Sequence, residues 1–244
     1  MKLAICFYGQ PRFLDNTCVY ARYREIISMY NPDVYIHSWI AGANASMDSS
    51  DWAKKFDFKE QDKADELLIS MYSPKKYKFD APIRPSLSES TRRKAETLPY
   101  YTPNNETNLL SHLKTRSESI GLIDNPSEYD FVLVTRPDLY IFSLPDLNKL
   151  EKNRLYLTGD LMGCWTDPAI LTSPEFLDAY STVYDNIDFV TDRVLAGHSS
   201  KKNFIAEHYI YHNYASKFPE DKVSWTSDLM YKIVRNSDCL SHIV

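Results

Sequence analysis

Apolar positions along the chain follow two rhythms, one of strands and one of helices. Residues 2–8 (KLAICFY) are a continuous apolar run of strand length, ended by Gly9-Gln10-Pro11-Arg12. Such a run reads as a strand buried on both faces, as in a parallel sheet. Val19, Tyr23, Ile26, Ile27 and Tyr30 then recur at helical spacing behind Asp15 or Asn16, either of which can cap a helix. Asn31-Pro32 ends that helix, and 33–39 (DVYIHSW) is a second strand. A β-α-β opening predicts an α/β architecture with a mostly parallel sheet flanked by helices. Ala64, Leu67, Leu68 and Met71 predict a short amphipathic helix, 75–79 a third strand, and Leu109, Leu110 and Leu113 another helix. The most apolar strand, 130–134 (DFVLV), runs into Thr135-Arg136-Pro137-Asp138, and 154–158 (RLYLT) is a further strand. Ser173-Pro174-Glu175 opens a helix that buries Phe176, Tyr180, Val183 and Tyr184. Residues 204–214 predict one more helix, and 223–234 one or two strands. The polar stretches 41–57 and 80–104 are expected to be mobile loops, with Arg92-Arg93-Lys94 as solvated surface in the second. No repeat and no clear linker divides residues 1–244, so a single domain is expected.

Composition removes several function classes. A hydrophobic fraction of 43% excludes a disordered chain. Six glycines stand beside eighteen tyrosines, and neither GxGxxG nor GxxxxGK[ST] occurs. A dinucleotide fold built on a glycine cradle and a P-loop are therefore not expected. A net charge of −5 argues against nucleic acid as a partner, since such proteins present a clustered basic face. Cys6, Cys18, Cys164 and Cys239 show no CxxC or zinc spacing and read as reduced thiols. The first apolar run is too short for a signal peptide or a membrane span, so a cytoplasmic location is expected.

Open α/β sheets bind ligands beyond the carboxyl ends of their strands, which directs attention to three loops. In Gly9-Gln10-Pro11-Arg12 the glycine turns the backbone, the amide suits a base edge, and the guanidinium suits a phosphate. In Arg136-Pro137-Asp138 the carboxylate suits a divalent metal on a diphosphate, or simply an ion pair with Arg136. The stretch 159–167 combines Asp160, Trp165 and Asp167, a composition suited to a sugar, with either aspartate as a general base. Glu207 is expected to face the same pocket from its helix. His208 and His212 lie one helical turn apart but lack a third ligand, and His37 reads as a satisfied core histidine. Tyr8, Tyr100, Tyr101 and Tyr140 lie where a ring could stack on a base or sugar.

The segments KLAICFYGQPRF, DVYIHSW and YDFVLVTRPDLYIF resemble small glycosyltransferase-like proteins with a GT-A, or nucleotide-diphospho-sugar transferase, fold, known from bacterial polysaccharide loci and large viruses. The resemblance implies a transferase using a nucleotide-sugar donor and a glycan or other hydroxyl acceptor. It implies that Tyr8, Gly9, Gln10 and Arg12 hold the nucleotide, and that Asp138 matches the second aspartate of a DxD motif. It implies Mn²⁺ or Mg²⁺ held by Asp138 and His242, and an acceptor region containing Asp167 and Glu207. The first aspartate of that motif is Arg136 here, so an arginine fork can stand in for the cation at the diphosphate. Competing expectations are a non-catalytic carbohydrate-binding or assembly protein, a metal-dependent nuclease and a sulfotransferase.

Overall fold

A computed structural model describes residues 1–42, 62–158, 165, 167–197 and 199–234. The opening follows the apolar pattern. Strand β1 (Leu3–Gly9) leads to helix α1 (Thr17–Tyr30) and strand β2 (Asp33–Trp39). Asn16 is the cap, accepting a 3.1 Å hydrogen bond from the Val19 amide, and Asn31 closes the helix in the left-handed region. Helix α2 (Ala64–Tyr72) and β3 (Lys76–Asp80) follow, then α3 (Glu89–Ala95) and α4 (Pro103–Gly121). The second half contains β4 (Phe131–Thr135), β5 (Leu139–Ser143), β6 (Leu155–Thr158), β7 (Ala169–Thr172), α5 (Asp178–Ser181), α6 (Ile187–Ala196), α7 (Ala206–Ala215), β8 (Val223–Thr226) and β9 (Met230–Ile233).

The main sheet has seven strands in the order β3-β2-β1-β4-β7-β6-β8, and β5 and β9 pair separately. β1 is parallel to β2 and to β4, β2 to β3, and β6 to β8, while β7 runs antiparallel to β4 and β6. The mostly parallel α/β sheet is thus as expected. Successive side chains of β1 point to opposite faces. Ala4, Cys6 and Tyr8 join a core with α4, α5, α6 and α7. Leu3, Ile5 and Phe7 join a second core with α1 and α2. Burial on both faces explains why β1 and β4 carry almost no polar residues. Burial also pushes the Cys6 thiol up to about 12, so it behaves as a small core group.

Several expectations change. Residues 80–104 hold α3 and the start of α4, and Arg92 there binds the buried Glu106 carboxylate at 2.9 Å. Glu106 also accepts from the Leu87 amide and the Tyr101 hydroxyl, so the segment is fastened by a side chain remote from the basic cluster. Ser173-Pro174 opens a 3₁₀ turn before the short α5 rather than one long helix. β5, β7 and α6 had no clear local signal. Cys18 is disulfide-bonded, which corrects the reading of four thiols; spacing along a chain does not reveal which cysteines folding brings together. Most of the stretch 41–57 lies outside the described residues. No described helix is long and apolar enough to cross a membrane.

Candidate active site

The chain leaves β1 toward β2 on one side, while β4 pairs on the other side of β1. The carboxyl ends of these strands therefore open into a crevice at a switch of strand order, where α/β sheets bind ligands. A cavity of about 530 Å³ occupies that place. Its floor is Gly9, Gln10 and Arg12 after β1 and Arg136 after β4, with Trp39 from the end of β2 beside them. Gly9 has φ of +106°, a conformation that side-chain-bearing residues avoid, and this lets the chain turn off the strand. Helix α4 forms one wall through Asn105, Asn108, His112 and Thr115, a polar stripe at three- and four-residue spacing. Tyr100, Phe204, Ile205 and Glu207 also line it.

Two arginine–aspartate pairs support the floor. Arg136 donates from Nε to Asp138 Oδ1 at 2.8 Å and from Nη2 to Oδ2 at 2.5 Å. Asp138 is buried, so its carboxylate braces Arg136 and does not line the cavity. Burial opposes the Arg136 charge, yet Asp138 outweighs it and the pKa stays raised. The second pair is Arg116 with Asp167. Arg116 is fully buried and its Nη2 forms an ion pair with Asp167 Oδ1. The same Nη2 lies 3.2 Å from the Tyr8 hydroxyl, which in turn donates to the Asp167 carbonyl at 3.1 Å. His112 Nε2 lies 2.9 Å from Asp167 Oδ1 and also touches Arg116 Nη2. Desolvation would raise the Asp167 pKa, but Arg116 and His112 hold it well below the usual carboxylate range. Burial lowers the His112 pKa below 6.5, Asp167 opposes the shift, and Arg116 adds to it.

The sequence candidates divide accordingly. Gly9, Gln10, Arg12, Arg136, Asp167 and Glu207 meet around one cavity. Tyr8 and Asp138 lie behind it: Tyr8 is buried, its ring beneath the Arg116 guanidinium at 4.8 Å, so it is not placed to stack on a ligand. Asp160 and His242 fall outside the described residues. Of the two residues implied for a divalent metal, Asp138 is described and His242 is not. Both oxygens of Asp138 are taken by Arg136, and no described group of three His, Cys, Asp or Glu could hold an ion. His37 is the satisfied core histidine expected, between Thr115 at 2.6 Å and Asp80 at 3.0 Å. His208 and His212 instead bond to the Asn203 amide and the Lys201 carbonyl.

Sequence reasoning missed His112, Arg116, Thr115, Asn105, Asn108 and Trp39. The signal for the α4 residues was the polar stripe opposite Leu109, Leu110 and Leu113. Trp39 carries a further clue, because its buried Nε1 has no hydrogen-bond partner among the described residues while the residue lines the cavity.

No protein-family model matches the chain, and no curated protein sequence matches it. Among solved structures it is similar to the mannosyltransferase Ktr4p from S. cerevisiae, at 10% identity and a TM-score of 0.46, covering 100% of this chain and 75% of that one. It is similar to the galactosyltransferase LgtC, in complex with donor and acceptor sugar analogs, at 12% identity and 0.41, covering 92% and 73%. It is similar to the bifunctional glycosyltransferase WbbM at 8% identity and 0.40, covering 93% of this chain and 38% of that one. At such scores the function has to be read from the residues of the cavity itself.

Proposed function

We propose that the protein is a glycosyltransferase that moves a sugar from a nucleoside diphosphate-sugar to a hydroxyl of a glycan or other acceptor. The observation that carries this reading is the cavity at the strand switch, where two guanidinium groups on the floor meet a wall of side-chain amides and aromatic rings. As the donor bond breaks, the diphosphate gains negative charge and the anomeric carbon gains oxocarbenium character. Fixed positive charge aimed at the leaving group then stabilises the transition state more than the ground state. Arg136, held by Asp138 with side-chain exposure of 17%, suits that role, and Arg12 lines the same floor. Gln10 suits the edge of the base. Asn105 and Asn108 suit sugar hydroxyls, and Tyr100 and Phe204 suit the apolar face of a pyranose ring. Glu207, which lines the same cavity, suits an acceptor hydroxyl.

A second reading, a non-catalytic carbohydrate-binding protein, is favoured by the Arg136–Asp138 pair, which occupies the position of a paired-carboxylate motif. The two readings separate in one experiment. The full chain is melted with UDP-, GDP-, CMP- and dTDP-sugars, and the same donors are assayed for nucleotide release. A donor at a hundred times its Kd raises stability by about 2.7 kcal/mol. A melting shift with nucleotide release is expected. A shift without release supports the binding protein, and no shift with any donor overturns the transferase.

A further inference from the structure

We infer that Gln10 is a positioning residue, whose side-chain oxygen holds the Arg12 guanidinium in the cavity for the diphosphate of the donor. This inference rests on the transferase reading above and goes beyond it by giving Arg12 a brace and the Gln10 oxygen a partner.

The turn after β1 builds the pair. The Gly9 amide donates to Thr115 Oγ1 at 3.2 Å, and the Gly9 carbonyl accepts from Ser38 Oγ at 2.7 Å, so both backbone groups at the start of the turn are fixed. The Arg12 amide then donates to the Gln10 carbonyl at 2.9 Å, which closes a three-residue turn with Pro11 at its centre. The inverse form of that turn needs a φ of about −75°, close to the value a proline ring imposes. Residues 10 and 12 are thereby brought together. Gln10 Oε1 accepts from Arg12 Nε at 3.0 Å and from Nη2 at 2.5 Å. Arginine carries donors only, so the Gln10 atom that faces it is the oxygen, and the amide N–H₂ is what Gln10 has left for a ligand.

The neighbouring strand repeats the grip. β4 lies beside β1, and Asp138 holds Arg136 through Nε and Nη2 as well. Neither brace uses Nη1. The braces differ in charge: Asp138 brings a carboxylate and Gln10 a neutral amide. Gln10 therefore orders its arginine without cancelling any of the positive charge. That order matters for binding, because a long side chain that is already held loses less freedom when an anion arrives. Gln10, Arg12 and Arg136 all line the cavity. Two guanidinium groups presented from adjacent strands suit the two phosphates of a diphosphate.

Titration of the full chain with inorganic pyrophosphate, which has neither base nor sugar, tests this, with UDP as the second ligand. Arg12→Gln should weaken pyrophosphate binding by about 10–100-fold. Gln10→Met keeps the length of the side chain and removes the oxygen. It should weaken pyrophosphate by about 3–10-fold with the ligand-free melting temperature unchanged. In the Arg12→Gln background the same substitution should change nothing further, because Gln10 acts through Arg12. Unchanged pyrophosphate affinity in Gln10→Met overturns the inference, and a loss for UDP alone then marks a contact to the base. A full additional loss in the double variant overturns it too, since Gln10 then meets the anion itself. So does a wild type that binds UDP but not pyrophosphate. Each of these outcomes leaves the transferase reading standing. If Gln10→Met melts early, Gln10→Ala is read in its place. A wild type that binds neither pyrophosphate nor UDP fails the transferase reading at its diphosphate.

Discussion

Arg136 and Asp138 are two residues apart and close on each other through both carboxylate oxygens. Arg116 and Asp167 are 51 residues apart, and there one carboxylate oxygen serves both the arginine and His112. In the first pair the carboxylate is used up and the arginine is what the cavity receives. In the second the arginine is buried out of reach, and the cavity receives the carboxylate and the imidazole beside it. One ion pair thus presents a cation and the other a carboxylate. Glu106 is a third buried carboxylate on the same helix as Arg116, bound by Arg92, Tyr101 and the Leu87 amide. It has no described histidine partner and serves only to fasten the segment before α4.

The largest effect should come from breaking the distant pair. Arg116→Met leaves Asp167 buried without its counter-ion and should cost about 3–5 kcal/mol, read as a drop in melting temperature. Arg136→Gln removes a presented charge, and the rate of nucleotide release should fall by about 10²–10³-fold with the melt much less affected. If both variants lose stability equally and activity equally, the distinction between the pairs is void. Glu106→Gln should cost about 1–3 kcal/mol without changing the pH profile of release. Burial raises the Glu106 pKa, but Arg92 and the other donors outweigh it, so the folded value lies below 4.5. Its stabilisation is therefore present above the unfolded pKa and fades as pH falls through the lower folded value, a loss that acid titration of the wild type but not of Glu106→Gln should report. The smallest effect is expected for Tyr8→Phe. It deletes one hydroxyl between Arg116 and the Asp167 carbonyl, at about 1 kcal/mol, and should leave donor binding unchanged because Tyr8 does not line the cavity.

The same contrast explains what was legible in the sequence. β1, α1 and β2 announce themselves through an apolar run, an Asn cap and an Asn-Pro stop, all local signals. The Arg136–Asp138 pair is equally local and was among the readings of that turn. The cluster of Tyr8, His112, Arg116 and Asp167 draws on β1, α4 and the residues before β7, and nothing in one segment names the others. On α4 the leucines mark a helix and a buried face, while the opposite stripe of Asn105, Asn108, His112 and Thr115 looks like ordinary solvated surface until β1 and β2 pack against it. β7 is short and buried on both sides, and its four residues carry no alternation to betray a strand.

Trp39 gives the cavity an optical consequence. Its indole N–H is buried without a partner among the described residues, and the residue forms part of the cavity lining. A molecule bound in the cavity changes the surroundings of that residue, and the emission of the protein changes with it. Occupancy can then be followed by light alone, without a labelled donor and before any product has been identified.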